Sequence, residues 1–150
     1  MINPETPLAW PKHFPPKGRV KRFFVGVRGL GPDLSFFREL RDLQGNRTRS
    51  VMALWPNWPT RRLAFKLGAL LRIEVRWPKP YFIPADHSGV AAYGPHFQDM
   101  HDGGFDTVTY EFETRIGFKF PNSFWQESVE LTFAEVVDRL LGTISQRGAA

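Results

Sequence analysis

The chain has no cysteine among its 150 residues. That absence excludes disulfide frameworks, thiolate zinc sites, iron–sulfur clusters and thiol catalysis. It also lacks any apolar run near the roughly 20 residues that cross a bilayer. Met1 to Trp10 holds no basic segment followed by an apolar one, so no secretory signal is expected and a cytoplasmic location is the default. Internal repeats, low-complexity tracts, Gly-x-Ser-x-Gly elbows, HExxH helices and EF-hand loops are missing too.

Large aromatic side chains are plentiful: 14 Phe, 5 Trp and 3 Tyr, within a hydrophobic fraction of 42%. The chain therefore has enough apolar surface for one compact core. The net charge is +5, but it is unevenly spread. Between Lys12 and Lys79, 16 Lys or Arg stand against four acids, a balance of +12, whereas from residue 101 onward four basic residues face eight acids, a balance of −4. An electropositive face in the N-terminal half and an acidic C-terminal element follow.

Five prolines (Pro4, Pro7, Pro11, Pro15, Pro16) mark residues 1–18 as an extended arm, mobile or laid across a partner. Residues 19–142 read as a single α+β domain, and 143–150 as a tail that frays. Arg19 to Val27 is rich in Val and Phe and predicts a strand. Leu34, Phe37, Leu40 and Leu43 recur on one face and predict a helix closed by a left-handed cap at Gly45. Arg49 to Trp55 is a strand candidate, stopped by Pro56-Asn57-Trp58-Pro59. Residues 60–70 fit either a helix behind a Thr60 cap or a strand. The alternation of Leu71, Ile73, Val75 and Trp77 against Arg72, Glu74 and Arg76 favours a strand. Asp106 to Phe120 alternates as well and predicts a bent strand or hairpin. Thr132 and Glu135 form a capping box ahead of a helix whose apolar face is Phe133, Val136, Val137, Leu140 and Leu141, ending at Gly142. The expected fold is a mostly antiparallel sheet of four to five strands with one helix from each half packed on it.

The aperiodic stretch from Pro78 to Gly104 gathers Asp86, His87, His96, Asp99, His101 and Asp102. His and Asp bind divalent metal or move protons near neutral pH. A metal-dependent hydrolase is therefore one reading, with His96, His101 and Asp102 as its candidates. No cofactor and no metal ligand set follows from the spacing, and no small-molecule substrate is inferred.

Basic residues interleaved with aromatics suit nucleic acid, with cations on phosphates and rings on bases. Phe23-Phe-Val-Gly-Val-Arg-Gly-Leu30 and the helix predicted after it resemble part of RNA-recognition-motif domains, which would make Phe24 a base-stacking position. The second, more diagnostic octamer of that family is missing. Phe37-Arg-Glu-Leu40, Ile73-Glu-Val-Arg-Trp-Pro-Lys-Pro-Tyr81, Trp125 and Leu131 to Leu141 resemble, in order, parts of ubiquitin-conjugating-enzyme-like domains. There the absent cysteine would leave a non-catalytic variant that binds a partner. Neither resemblance covers its whole family pattern.

Tryptophan and arginine are favoured anchors of interfaces. The leading expectation is thus an interaction protein (adaptor, inhibitor or assembly subunit) with a protein partner, nucleic acid being the alternative partner and a membrane none. Its candidate contact residues are Arg19, Lys21, Arg22, Phe24, Trp55, Trp58, Arg61, Arg62, Arg72 and Arg76.

Overall fold

The computed structural model describes residues 3–10, 36–93, 104–117, 119–128 and 130–148. Among these the protein is helical and has no sheet; its one β-bridge joins His87 to Thr132. Six α-helices follow in order: α1 (Phe36–Gly45), α2 (Trp58–Glu74), α3 (Ser88–Tyr93), α4 (Gly104–Ile116), α5 (Asn122–Ser128) and α6 (Phe133–Gly148), with a 3-10 helix (Arg49–Leu54) between α1 and α2. The expected α+β fold, with its mostly antiparallel sheet, is therefore corrected to a mostly helical one without a sheet among the described residues. The strand predicted at Arg19 to Val27 lies outside the described residues.

Each correction has a local cause. In α4 the buried residues are Val108 and Phe112, one turn apart, while Tyr110 is 68% exposed. A strand would have put Tyr110 on the same side as its two neighbours, so the apparent alternation conceals a helical period. Around 71–77, alternation arises from a boundary. Leu71 closes the buried side of α2, Ile73 points outward, and Val75 and Trp77 return to the core after the helix has ended. Arg76 makes that reversal with φ of +70°. In 49–55 the buried set is Val51, Met52 and Trp55, a spacing that fits a helical turn and not a strand.

The Pro56 to Pro59 segment, read as a stop, starts α2. The Asn57 side chain caps it by accepting from the Thr60 N–H at 3.0 Å, and Pro59 sits in the first turn, where a missing N–H costs nothing. Helix α1 ends at Gly45, but without the expected left-handed cap, since Gly45 has no positive φ; Asn46 closes the turn through its backbone and side-chain N–H groups on the Asp42 carbonyl. The Thr132–Glu135 capping box forms as read, Glu135 accepting from the Thr132 N–H at 3.1 Å and Thr132 Oγ1 from the Glu135 N–H at 3.2 Å. The Thr132 N–H and the Thr132 hydroxyl, both donating to it, hold the Glu135 carboxyl below its usual range. The helix does not stop at Gly142, however; α6 runs on to Gly148.

Helix α2 is the axis of the molecule, packing against α4, α6 and the 3-10 helix. Its buried side carries Leu63, Leu67, Leu70 and Leu71. Aromatic rings fill the space beyond: Trp55 and Phe82 both meet Phe133, at centroid distances of 6.0 and 5.2 Å, and Trp77 stands edge-on to Phe82 at 5.7 Å. The indole N–H groups of Trp55 and Trp77 donate to the carbonyls of Phe82 and Ala91, which satisfies the only polar atom of each buried ring.

One close approach depends on glycine. A Cβ on Gly68 would lie 2.0 Å from the Pro80 carbonyl oxygen and 3.2 Å from the Phe82 ring. Gly68→Ala gains about 1 kcal/mol of helix propensity but forces the 80–82 strand of chain off α2. Overpacking of this kind costs about 1–3 kcal/mol or more, so the expected result is a lower urea midpoint. A stabilised Gly68→Ala protein would contradict the close approach.

Candidate interaction face

Two regions gather the polar residues that the sequence singles out. The first is buried. Arg47 and Asp86 form an ion pair with both side chains at 0% exposure, at 2.7 and 2.8 Å. Arg47 spends all five of its N–H donors: two on Asp86, and one each on the carbonyls of Pro4, Tyr81 and Thr6. The Asp86 carboxylate in turn accepts from the Leu8 and Ile83 N–H groups at 2.9 and 2.8 Å. The His87 N–H donates to the Leu8 carbonyl, and Phe133 N–H to that of Asp86. Residues 3–10 of the proline-rich segment are thereby laid across the protein's own core, with the Leu8 side chain fully buried. Gln44 braces the same region by donating to the Lys79 and Tyr81 carbonyls and accepting from the Lys79 N–H.

Asp86 is thus committed to holding the chain together, with no lone pair facing solvent for metal or proton chemistry. Its neighbour His87 is half-buried against Trp10, and its Nδ1 accepts from the Val90 N–H at 3.4 Å. Burial depresses its pKa below the ordinary 6.5, with the Glu130 carboxylate acting in the opposite direction. A depressed histidine makes stability constant above about 6.5 and lower as pH falls through the folded-state value. The thermal midpoint of the wild-type protein should therefore drop on acidification by more than that of His87→Gln. Equal slopes would show that His87 does not titrate against folding. Among the described residues no group of three or more His, Asp or Glu could hold a metal ion; His96, His101 and Asp102 lie outside them.

An apolar cavity of about 30 Å³ lies between α2, α3, α4, α5 and α6, bordered by Leu67, Ala91, Val108, Trp125 and Val136. Ligand pockets run to about 300–1,000 Å³, so this one is packing space. Glu113, on an open cleft at the end of α4, already accepts from the Phe120 N–H and the Trp125 indole.

The second region is exposed. On a helical wheel, Trp58, Arg62, Phe65, Lys66, Ala69, Arg72 and Ile73 fall within one side of α2, opposite the leucines in the core. Trp58 is 63% exposed, Phe65 43% and Ile73 64%, with Arg62, Lys66 and Arg72 exposed between them. Singly exposed apolar residues are ordinary; three large ones in a row on one helix are a patch. From Arg61 to Arg76 the sequence has five cations and one acid, Glu74. The Arg62 guanidinium lies 5.1 Å from the Trp58 ring centroid, a cation–π contact. Tyr81 flanks Phe65 at 6.4 Å.

The structure sorts the expected contact residues. Trp58, Arg62 and Arg72 share the α2 face, and Arg76 follows just beyond its end. Arg61 stands at the edge, its guanidinium donating to the Met52 and Trp55 carbonyls. Trp55, 2% exposed, is a core residue. Arg19, Lys21, Arg22 and Phe24 lie outside the described residues. Sequence reasoning missed Phe65, Lys66 and Ile73; reading 58–76 at a period of 3.6 would have found them. No described helix is long and apolar enough to cross a membrane. No family model, curated protein or solved structure matches the chain.

Proposed function

We propose that the protein acts by contact, binding a protein partner through the outer face of α2. The observation that carries this reading is the row of Trp58, Phe65 and Ile73 held in water between Arg62, Lys66 and Arg72. Exposing three large apolar groups lowers solubility and does nothing for the fold, whereas a partner that covers them gains their burial. The other side of α2 is locked into the core, so the face is rigid and little entropy is lost on docking. Trp and Arg are also the side chains that most often dominate binding energy.

The test places a photo-crosslinking amino acid at position 65 and, as a control, at position 138 on the exposed side of α6. In native lysate, position 65 should yield a discrete adduct that the Arg62→Glu/Arg72→Glu protein does not form. An adduct indifferent to those charge reversals, or equal trapping at position 138, rules out α2 as the docking face. An adduct that disappears with nuclease treatment assigns the face to nucleic acid instead.

A further inference from the structure

Resting on that reading, we infer that the partner presents an acidic amphipathic helix that lies lengthwise along α2. Its apolar side chains seat beside Trp58, Phe65 and Ile73, and its carboxylates stand opposite Arg62, Lys66 and Arg72.

The geometry of the face selects a helix. The apolar anchors are seven and eight residues apart, which at a rise of 1.5 Å per residue means about 10.5 and 12 Å along the axis. A second helix carrying apolar residues every seven positions presents the same repeat. An extended strand shows one face every two residues, at steps of about 6.6 Å, and falls out of register with the second anchor. The full 17-residue helix is about 25 Å long, enough for three such contacts in a line.

Charge selects acid. From Arg61 to Arg76 the helix and its end carry five cations and one acid, Glu74, so a partner surface of the same sign would be repelled and one of opposite sign steered in. The alternation of charge and apolar groups further selects an amphipathic partner over a uniform polyanion. Phosphates could satisfy Arg62, Lys66 and Arg72, but they would leave Phe65 and Ile73 uncovered. The Trp58 ring already carries Arg62 against it. A single helix laid on a single helix buries a small area, the size class of weak and transient complexes, so micromolar affinity is expected.

The probe is a labelled peptide of three heptads with Leu at positions a and d and Glu at e and g, titrated with the full-length protein by fluorescence anisotropy. Three comparison probes are used: a scramble of the same composition, the same heptads with Lys at e and g, and polyglutamate. The acidic heptad peptide should bind in the micromolar range and the other three at least about tenfold more weakly. Arg62→Glu/Arg72→Glu should weaken it by a similar factor and improve binding of the Lys peptide. Trp58→Ala/Ile73→Ala should weaken it too, while circular dichroism and the thermal midpoint of both variants stay at the wild-type values. Equal binding of scramble or polyglutamate reduces the face to a charge patch and overturns the inference. Failure of the acidic peptide to bind also overturns it. If a charge-dependent adduct at position 65 persists in that case, the α2 docking face stands and only the acidic-helix partner is lost; if no such adduct forms either, both fall.

Discussion

Asp86→Ala lowers the unfolding free energy by about 3–5 kcal/mol, the cost of leaving a buried charge without its partner. Arg47 has no exposed atom in its side chain. Without Asp86 its guanidinium keeps only three carbonyls, those of Pro4, Thr6 and Tyr81. The Leu8 and Ile83 N–H groups lose their acceptor as well. A domain has about 5–15 kcal/mol in total, so this substitution removes a large share. Arg47→Met is destabilising for the converse reason, since it strands the carboxylate. The double variant Arg47→Met/Asp86→Ala should cost less than the two single losses added together, because neither charge is then left alone. Urea unfolding of the four proteins measures the cycle. Strict additivity, or a loss under about 1 kcal/mol in Asp86→Ala, would mean that the pair does not organise the core. Because three of the bonds go to residues 4, 6 and 8, either single variant should also make the N-terminal segment more accessible to protease than the rest of the chain.

Two tryptophans three positions apart should behave oppositely when truncated. Trp55→Ala empties a site that is 2% exposed, in contact with Phe133, and removes the donor to the Phe82 carbonyl. Loss of a large aromatic from a core costs about 3–5 kcal/mol. Trp58→Ala removes a side chain that is 63% exposed and lies against the Arg62 guanidinium; exposed substitutions stay within about 0.5 kcal/mol. Its effect should appear in partner binding, where truncated aromatic anchors lose about 2 kcal/mol or more. Thermal unfolding of both variants beside the anisotropy titration separates the two roles. A destabilised Trp58→Ala protein of wild-type affinity would reverse the assignment.

Much of the fold could be read from spacing alone. The residues of α1 and the capping box of α6 were legible because each signal is local: an apolar residue every third or fourth position, and a threonine three residues ahead of a glutamate. Helix α4 was not, because Val108, Tyr110 and Phe112 satisfy a period of two as well as Val108 and Phe112 satisfy a period of four. Only the place of Tyr110 in water decides between them. The same ambiguity hid the α2 face: its cations fit one side of a strand from 71 to 77, and the helical row from Trp58 to Ile73 emerges only once the whole segment winds as one element.

Asp86 and His87 show a different limit. Their residue types are those of a metal or acid–base site, and the sequence carries no mark separating that use from a structural one. Their roles follow from Arg47, 39 residues away, and from Leu8, 78 residues away. Pairing at such distances depends on how helices stack, which residue type does not encode.

The sequence by itself determined the absence of thiol chemistry, the excess of positive charge before residue 80, the presence of helices at either end of the described core and the abundance of aromatic surface. Those are properties of composition and of short-range periodicity. The tertiary structure alone decided which tryptophan is core and which is exposed, that residues 3–10 are tied to the protein's own core, and that the cations of 62–72 share one face. Each of these depends on which side of an element meets the core, and that is settled by packing between segments far apart in the chain.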